Sequence, residues 1–248
     1  MKQQLLMLLL CTWLPVHAQL AKSRVLALYS QKVERDHVDF AKDALRFYSA
    51  LATKEDFVFD TTTNWQHLDT TYLKQYQVVV WLNDAPSDPV QQYAFEWYMR
   101  HGGKWIGYHV AAYNDKYSNW KWFLDFLGGG MFYSNSWPPL PAKLVVDDRH
   151  HPIAKGMPAS FKSPLNEWYQ WKPSPRLNKH IKVLVSLSPS NYPLGKKDML
   201  LSGDLPVVWT STQYKMLYLN MGHGDKIFSD SIQNILLTNA MLWMVHKK

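Results

Sequence analysis

The chain has 248 residues, with 27 lysines and arginines against 20 aspartates and glutamates, a formal charge of +7 and a single cysteine. The basic residues are scattered rather than gathered on a stripe, which favours a soluble protein and argues against a nucleic-acid partner. The one cysteine, Cys11, falls within a segment that reads as an export signal, so disulfides and thiol chemistry are excluded from the mature chain.

That segment opens with Lys2, continues through the apolar run Leu5 to Leu10 and ends in Val16-His17-Ala18, small residues suited to cleavage after Ala18. It is too short to remain as a membrane span. The apolar stretch before Cys11 is also short for a lipoprotein signal, so the expectation is a periplasmic protein without a lipid anchor and without a transmembrane segment. Residues 1–18 are thus set aside as a signal peptide and 19–248 read as a single domain. Its charge is 26 basic against 20 acidic residues, and at about 230 residues it can bury a large core without staples.

Arg24 to Ser30 is an apolar run that predicts a buried strand. His37 to Leu51 carries apolar residues at Phe40, Ala41, Ala44, Leu45, Tyr48 and Leu51, the spacing of an amphipathic helix. Asp56 to Asp60 predicts a short second strand, and Val78 to Leu82 a central one covered on both faces. Asp88-Pro89 opens a helix with an N-cap and a proline in the first turn. Its expected stripe is Val90, Ala94 and Trp97, and Gly102-Gly103 ends it. Lys104 to Tyr108 is the next strand. Strands alternating with helices predict an α/β fold with a doubly wound, mainly parallel sheet flanked by helices. From Trp120 to Ser202 prolines accumulate, which predicts a loop-rich insertion with extra strands at Lys143 to Val146 and Ile181 to Leu187. Pro206 to Ser211 and Tyr214 to Asn220 read as adjacent strands, and Asp230 to Val245 as a last helix with Ile232, Leu236, Ala240 and Trp243 on one face.

In open α/β sheets ligands bind beyond the carboxyl ends of the strands. Four polar residues sit at such places: His37 after the first strand, His109 after KWIGY, Glu167 in NEWYQW and His223 in NMGHGD. Around His109 the run GGKWIGYHVAA has a strand ending in small residues, the composition of a tight elbow that projects its central side chain. Twelve tryptophans and fourteen tyrosines leave some aromatics for a pocket. Trp137, Trp168 and Trp171 lie beside the motifs and are candidates for stacking on a sugar, with Tyr169 as a donor or a pocket wall. Trp97 and Trp243 fall on helical stripes and are expected in the core.

The ordered set GGKWIGYHVAAY, FLGGGMFYSNSWPP, VVDDRHHPIAKGMP, NEWYQW and NMGHGDKIF resembles the ThuA-like (trehalose-utilisation) family over essentially the whole chain from Arg24 onward. The resemblance implies a flavodoxin-like fold of the class I glutamine amidotransferase type. It puts His109 where those relatives carry a catalytic cysteine and His223 near their histidine partner. Amide transfer through a thioester is therefore excluded, since no thiol is there to attack. Asn135 stands where many relatives have a histidine, which reduces the ligand count or supplies a hydrogen bond to a substrate hydroxyl. The His151-Pro152 pair matches the family but suits a structural turn equally well; His150 reads as solvent-facing, and Gly128-Gly129-Gly130 lacks the residues of a phosphate loop.

Histidines 37, 109 and 223 with Glu167 suit two chemistries. One is a divalent metal such as zinc, with His109, His223 and Glu167 as ligands. The other is metal-free proton transfer next to a carbonyl. The resemblance implies a carbohydrate ligand, trehalose or a related disaccharide or keto-glycoside, handled by a lyase or hydrolase. A non-catalytic carbohydrate-binding protein on the same fold is the alternative.

Overall fold

The computed structural model describes residues 22–196, Leu201 and residues 203–246. The export signal expected over residues 1–18 lies outside them.

The first strand, β1 (Arg24–Leu28), is followed by α1 (Arg35–Glu55), β2 (Val58–Thr62), a short α2 (Thr70–Leu73), β3 (Val78–Trp81), α3 (Pro89–Arg100) and β4 (Lys104–Tyr108). After β4 come α4 (Lys121–Phe126), β5 (Met131–Asn135), β6 (Leu140–Val146), β7 (Ser160–Asn166), β8 (Tyr169–Lys172), β9 (Ile181–Leu187), β10 (Pro206–Ser211), β11 (Lys215–Leu219) and α5 (Ser231–Val245). Nine strands form one sheet in the order β2-β1-β3-β4-β11-β10-β9-β6-β7. The first five run parallel, in the flavodoxin order with β11 as its fifth strand. The remaining four continue it antiparallel. The proline-rich stretch after Trp120 thus widens the same sheet, and β5 with β8 makes a separate antiparallel pair.

Alternation along the strands explains the two layers. Val25, Ala27, Val78, Val80, Ile106, Leu217 and Leu219 face α1 and α5, whereas Leu26, Leu28, Val79, Trp81, Trp105 and Met216 face α3 and α4. All are fully buried, each stabilising the fold by about 1.5–3 kcal/mol relative to exposure. Strands buried on both sides lose the polar alternation of a half-exposed sheet, which is why VVVW reads as a continuous apolar run.

Helix ends follow local chemistry. The Asp88 carboxylate accepts from Val90 N at 2.7 Å and starts α3, and Asp230 accepts from Gln233 N at 2.8 Å to start α5. The stripe on α3 differs from the expected one. Val90 is 71% exposed, and Ala94, Phe95, Tyr98 and Met99 are the buried residues. Trp97 is only half-buried and stacks on His101, because the buried face of α3 runs through Ala94, Phe95, Tyr98 and Met99 and leaves Val90 and Trp97 to its side. Trp243 is likewise half-buried, under Lys215. Among the described residues no helix is long and apolar enough to cross a membrane.

Candidate functional site

Three carboxyl ends of the parallel strands supply the three histidines. His37 lies in the first turn of α1, after β1. His109 follows β4 directly, and His223 lies in the loop after β11. Glu167 comes from the antiparallel half, between β7 and β8, and completes the group. One ligand atom from each of His37, His109, Glu167 and His223 lies within 4.8 Å of all the others. Exposure is 7%, 0%, 8% and 2% respectively, so the cluster is shielded from bulk water.

The backbone at His109 has φ +43°, a left-handed conformation that a non-glycine residue adopts only under constraint. The elbow expected after KWIGY is therefore present. Tyr218 Oη donates to the His109 carbonyl at 3.2 Å, and the imidazole stacks on Tyr169 at 4.1 Å. Gly222 passes so close that an added Cβ would meet the His109 side chain. Asn166 fixes this crossing loop, its Oδ1 accepting from Gly222 N and His223 N, both at 3.1 Å.

Hydrogen-bond direction decides where the ring protons are. His109 Nδ1 lies 2.9 Å from the Asn220 carbonyl, which can only accept, so Nδ1 carries the hydrogen. His37 Nδ1 faces Glu34 Oε2 at 3.3 Å, and His223 Nε2 faces Asp36 Oδ2 at 3.1 Å, off the N–H axis. With the ring hydrogens on those outer nitrogens, His37 and His109 turn Nε2 inward and His223 turns Nδ1 inward. Three imidazole lone pairs then converge with the Glu167 carboxylate. His109 Nε2 is 3.2 Å from Glu167 Oε2, His37 Nε2 is 3.3 Å from His223 Nδ1, and His223 Nδ1 is 3.5 Å from Glu167 Oε2.

The electrostatics agree. Burial, reinforced by His109 and His223, pushes His37 down to about 3. Burial also lowers His109, although Glu167 opposes the shift. Burial raises Glu167, but the adjoining His109 ring, with His223 and His37, outweighs that and holds it below the usual carboxylate range. At neutral pH Glu167 is therefore ionised and the His37 and His109 rings are uncharged, the protonation states that metal binding requires of them. The donor set fits a zinc-type ion. Bonds of about 2.0–2.1 Å to four tetrahedral ligands place neighbouring donor atoms roughly 3.3 Å apart, and the three separations above bracket that value. Asn220, Glu34 and Asp36 stand where outer partners orient ligating histidines.

Among the other expected residues, Asn135 donates from Nδ2 to Glu167 Oε1 and so positions the carboxylate. Trp137 is 40% exposed at the mouth, its ring perpendicular to that of His223 at 6.4 Å. Tyr169 is buried beneath His109 as a wall, and burial raises its phenol far above the ordinary value. Trp168 is a correction: it is fully buried and donates from Nε1 to the Leu140 carbonyl at 2.9 Å. Trp171 is 2% exposed and packs on Trp209 and Tyr218. Neither offers a face to a ligand, because Trp168 is enclosed in the core and Trp171 lies on the side of β8 that packs against β10 and β11. His151 caps a turn and packs edge-on against Trp243, on a different element from the cluster. His150 is exposed. Sequence reasoning missed Glu34, Asp36, Asn166 and Asn220, although each lies within three residues of a cluster member.

The model of the ThuA family, described as trehalose utilisation, matches residues 24–244. The chain belongs to the ThuA family. It is similar to a ThuA-like protein of Bacteroides uniformis ATCC 8492 at 49% identity, with a TM-score of 0.90, covering 95% of this chain and 97% of that one. A ThuA-like protein of Parabacteroides merdae ATCC 43184 is 17% identical, with a TM-score of 0.64 and coverage of 92% and 93%. A GMP synthase protein of Thermoplasma acidophilum shares the fold at 10% identity and a TM-score of 0.51, covering 90% and 94%. The glutamine amidotransferase-like architecture of this ThuA chain is thereby shown. No curated protein matches it.

Proposed function

We propose that this ThuA protein is an exported carbohydrate-active lyase or hydrolase, working on trehalose or a related disaccharide or keto-glycoside at the His37–His109–Glu167–His223 cluster. The observation that carries the reading is the convergence of three inward imidazole lone pairs and an ionised carboxylate, each ring turned by an oxygen on its far side. Such a set, left alone, brings electron pairs face to face; a divalent cation such as zinc held by the three imidazoles would relieve that conflict and keep a position open for substrate beside Glu167. When bound, the ion supplies Lewis-acid polarisation of a carbonyl or glycosidic oxygen.

The chain's own residues do the rest. Trp137 at the mouth offers an apolar face to a sugar ring. Asn135 holds Glu167 by Oε1 and leaves Oε2 toward the histidines. As the ionised carboxylate of the buried cluster, Glu167 accepts the proton of a C–H adjacent to a substrate carbonyl; the C–H electron pair forms the C=C bond as the glycosidic C–O bond breaks, and the departing oxygen takes a proton from water. Tyr169 and the buried loop after β11 exclude water from the inner side.

The test is metal analysis of untagged protein purified without chelator from zinc-supplemented medium, together with turnover of a 3-keto disaccharide. One equivalent of zinc, lost with His109→Ala or His223→Ala along with product formation, is expected. Less than a tenth of an equivalent in the wild type, or unchanged turnover in His109→Ala, overturns the proposal. Sequencing the mature N-terminus from an expressing cell checks export, with a start at Gln19 expected.

A further inference from the structure

A second cleft opens at the same edge of the sheet, between the loop after β3 and the loop after β4, with a volume of about 350 Å³. Its size falls within the range of small-molecule sites. Its lining includes Ser87, Gln92, Tyr113, Asn114, Trp120 and Phe123, and no lining residue carries a formal charge. In a chain of net charge +7 that neutrality is informative: a phosphate or carboxylate ligand would find no ionic partner there.

Asn114 gives the cleft its polarity. Its Nδ2 donates to the Ala112 carbonyl at 3.1 Å, which fixes the orientation of the amide. The opposite atom, Oδ1, is buried without a hydrogen-bond partner, and the residue is only 3% exposed. A buried acceptor of this kind destabilises the fold while it stays unsatisfied. A ligand hydroxyl would satisfy it. The walls are aromatic: Trp120 stacks on Phe123 at 4.6 Å, and Tyr113 is 44% exposed. Apolar ring faces beside hydroxyl and amide groups, with no charge, suit a neutral polyol ring and little else.

We infer that this cleft is a saccharide-binding site, distinct from the histidine cluster, in which a sugar hydroxyl donates to Asn114 Oδ1 and the ring lies against Tyr113 or Trp120. The site deepens the carbohydrate reading above, but its argument rests on the cleft's own lining. Three ring contacts separate the two sites: His109 stacks on Tyr169, Tyr169 meets Phe132 at 4.9 Å, and Phe132 meets Tyr113 at 5.0 Å.

Titration of the full chain with trehalose and with methyl α-glucopyranoside, followed by calorimetry and by the NMR signal of the Asn114 side-chain amide, tests the inference. Binding should shift that signal. Tyr113→Ala, at an exposed position, should weaken the affinity about tenfold, and Asn114→Leu should abolish it in a chain whose circular dichroism is unchanged. Inorganic phosphate should produce no shift, and His223→Ala should bind saccharide within about twofold of the wild type. No binding at tens of millimolar sugar, or equal binding by wild type and Tyr113→Ala, overturns the inference. So does binding lost in His223→Ala and retained in Tyr113→Ala, which puts the sugar in the histidine cluster. Absent turnover with cleft binding intact would sink the proposed activity and leave this site standing.

Discussion

Replacing Gly222 by alanine tests the reasoning about the site most directly. Gly222 is not among the positive-φ glycines, so an alanine backbone is allowed there. The obstacle is space. A Cβ would lie well inside van der Waals contact with the His109 Cβ, and 3.4 Å from its Cγ. Neither partner is free to retreat, because Asn166 holds Gly222 N and the Asn220 carbonyl holds the His109 ring. Overpacking of this kind costs about 1–3 kcal/mol, and for a chain of this size each kcal/mol lowers the melting temperature by roughly 2–4 °C. The strain should also turn the His109 ring, and a disturbed ligand orientation typically costs ~10–100-fold in metal affinity. Gly224 is the control. It has φ +86° and open space where its Cβ would go, so alanine there costs backbone strain alone, about 1–2 kcal/mol. Thermal unfolding and zinc titration of both variants are the assays. Both should melt lower, and only Gly222→Ala should lose zinc affinity. Wild-type melting and wild-type zinc binding by Gly222→Ala would refute the packing argument.

Four further outcomes are expected. Stability should fall as the pH drops from about 6.5 toward 3, because the unfolded His37 takes up a proton that its folded form, pushed down to about 3, refuses. Lowered His109 and Glu167 act in the same direction, at about 1.36 kcal/mol for each tenfold change in proton affinity, and urea midpoints at pH 7 and pH 4.5 should show a slope that His37→Gln flattens. Asn166→Ala should cost roughly 2 kcal/mol or more by orphaning two buried N–H groups, measured by urea unfolding against an Asn166→Asp control that keeps an acceptor. Asn135→Asp should put a second carboxylate against Glu167, raise its pKa and move the acid limb of the activity profile upward; an unmoved limb would remove Asn135 from its positioning role. Trp168→Phe should lower stability through the lost bond to the Leu140 carbonyl while leaving saccharide affinity unchanged, and Trp137→Ala should do the reverse.

Much of the fold was legible because buried parallel strands and capped helices write themselves into short stretches of sequence. VVVW, KWIGY and IKVLVSL mark strands by unbroken burial, and Asp88-Pro89 and Asp230 mark helix starts. The four polar residues at strand ends were legible for a topological reason, since strand order determines which loops meet. Strand β7 in the antiparallel half was not. Strand β7 contains a proline, buries Ser163 and Asn166 and exposes Leu165, which inverts the alternation on which a strand reading depends. Trp168 was misread because proximity to Glu167 in sequence does not say which way the chain turns next. Glu34 and Asp36 went unnoticed because an acidic residue in a first helical turn already has a sufficient explanation in the helix dipole.

The elbow makes the chemistry of the site intelligible. At a left-handed residue after a parallel strand, the side chain is thrown forward into the crevice, and the fold accepts the strain because Gly222, Tyr218 and Asn220 close around it. A thiol at such a place needs a nearby base to become a nucleophile. An imidazole there, held neutral by burial and with Nδ1–H committed to the Asn220 carbonyl, has one nitrogen left to offer. What the position does present is one fixed lone pair, aimed at the same point as those of His37 and His223 and at the Glu167 carboxylate. On the function proposed above, the same backbone device serves coordination or proton transfer in place of acyl capture. The acid that makes this work reaches over from the antiparallel extension, so the widened half of the sheet contributes to the site as well as to the core.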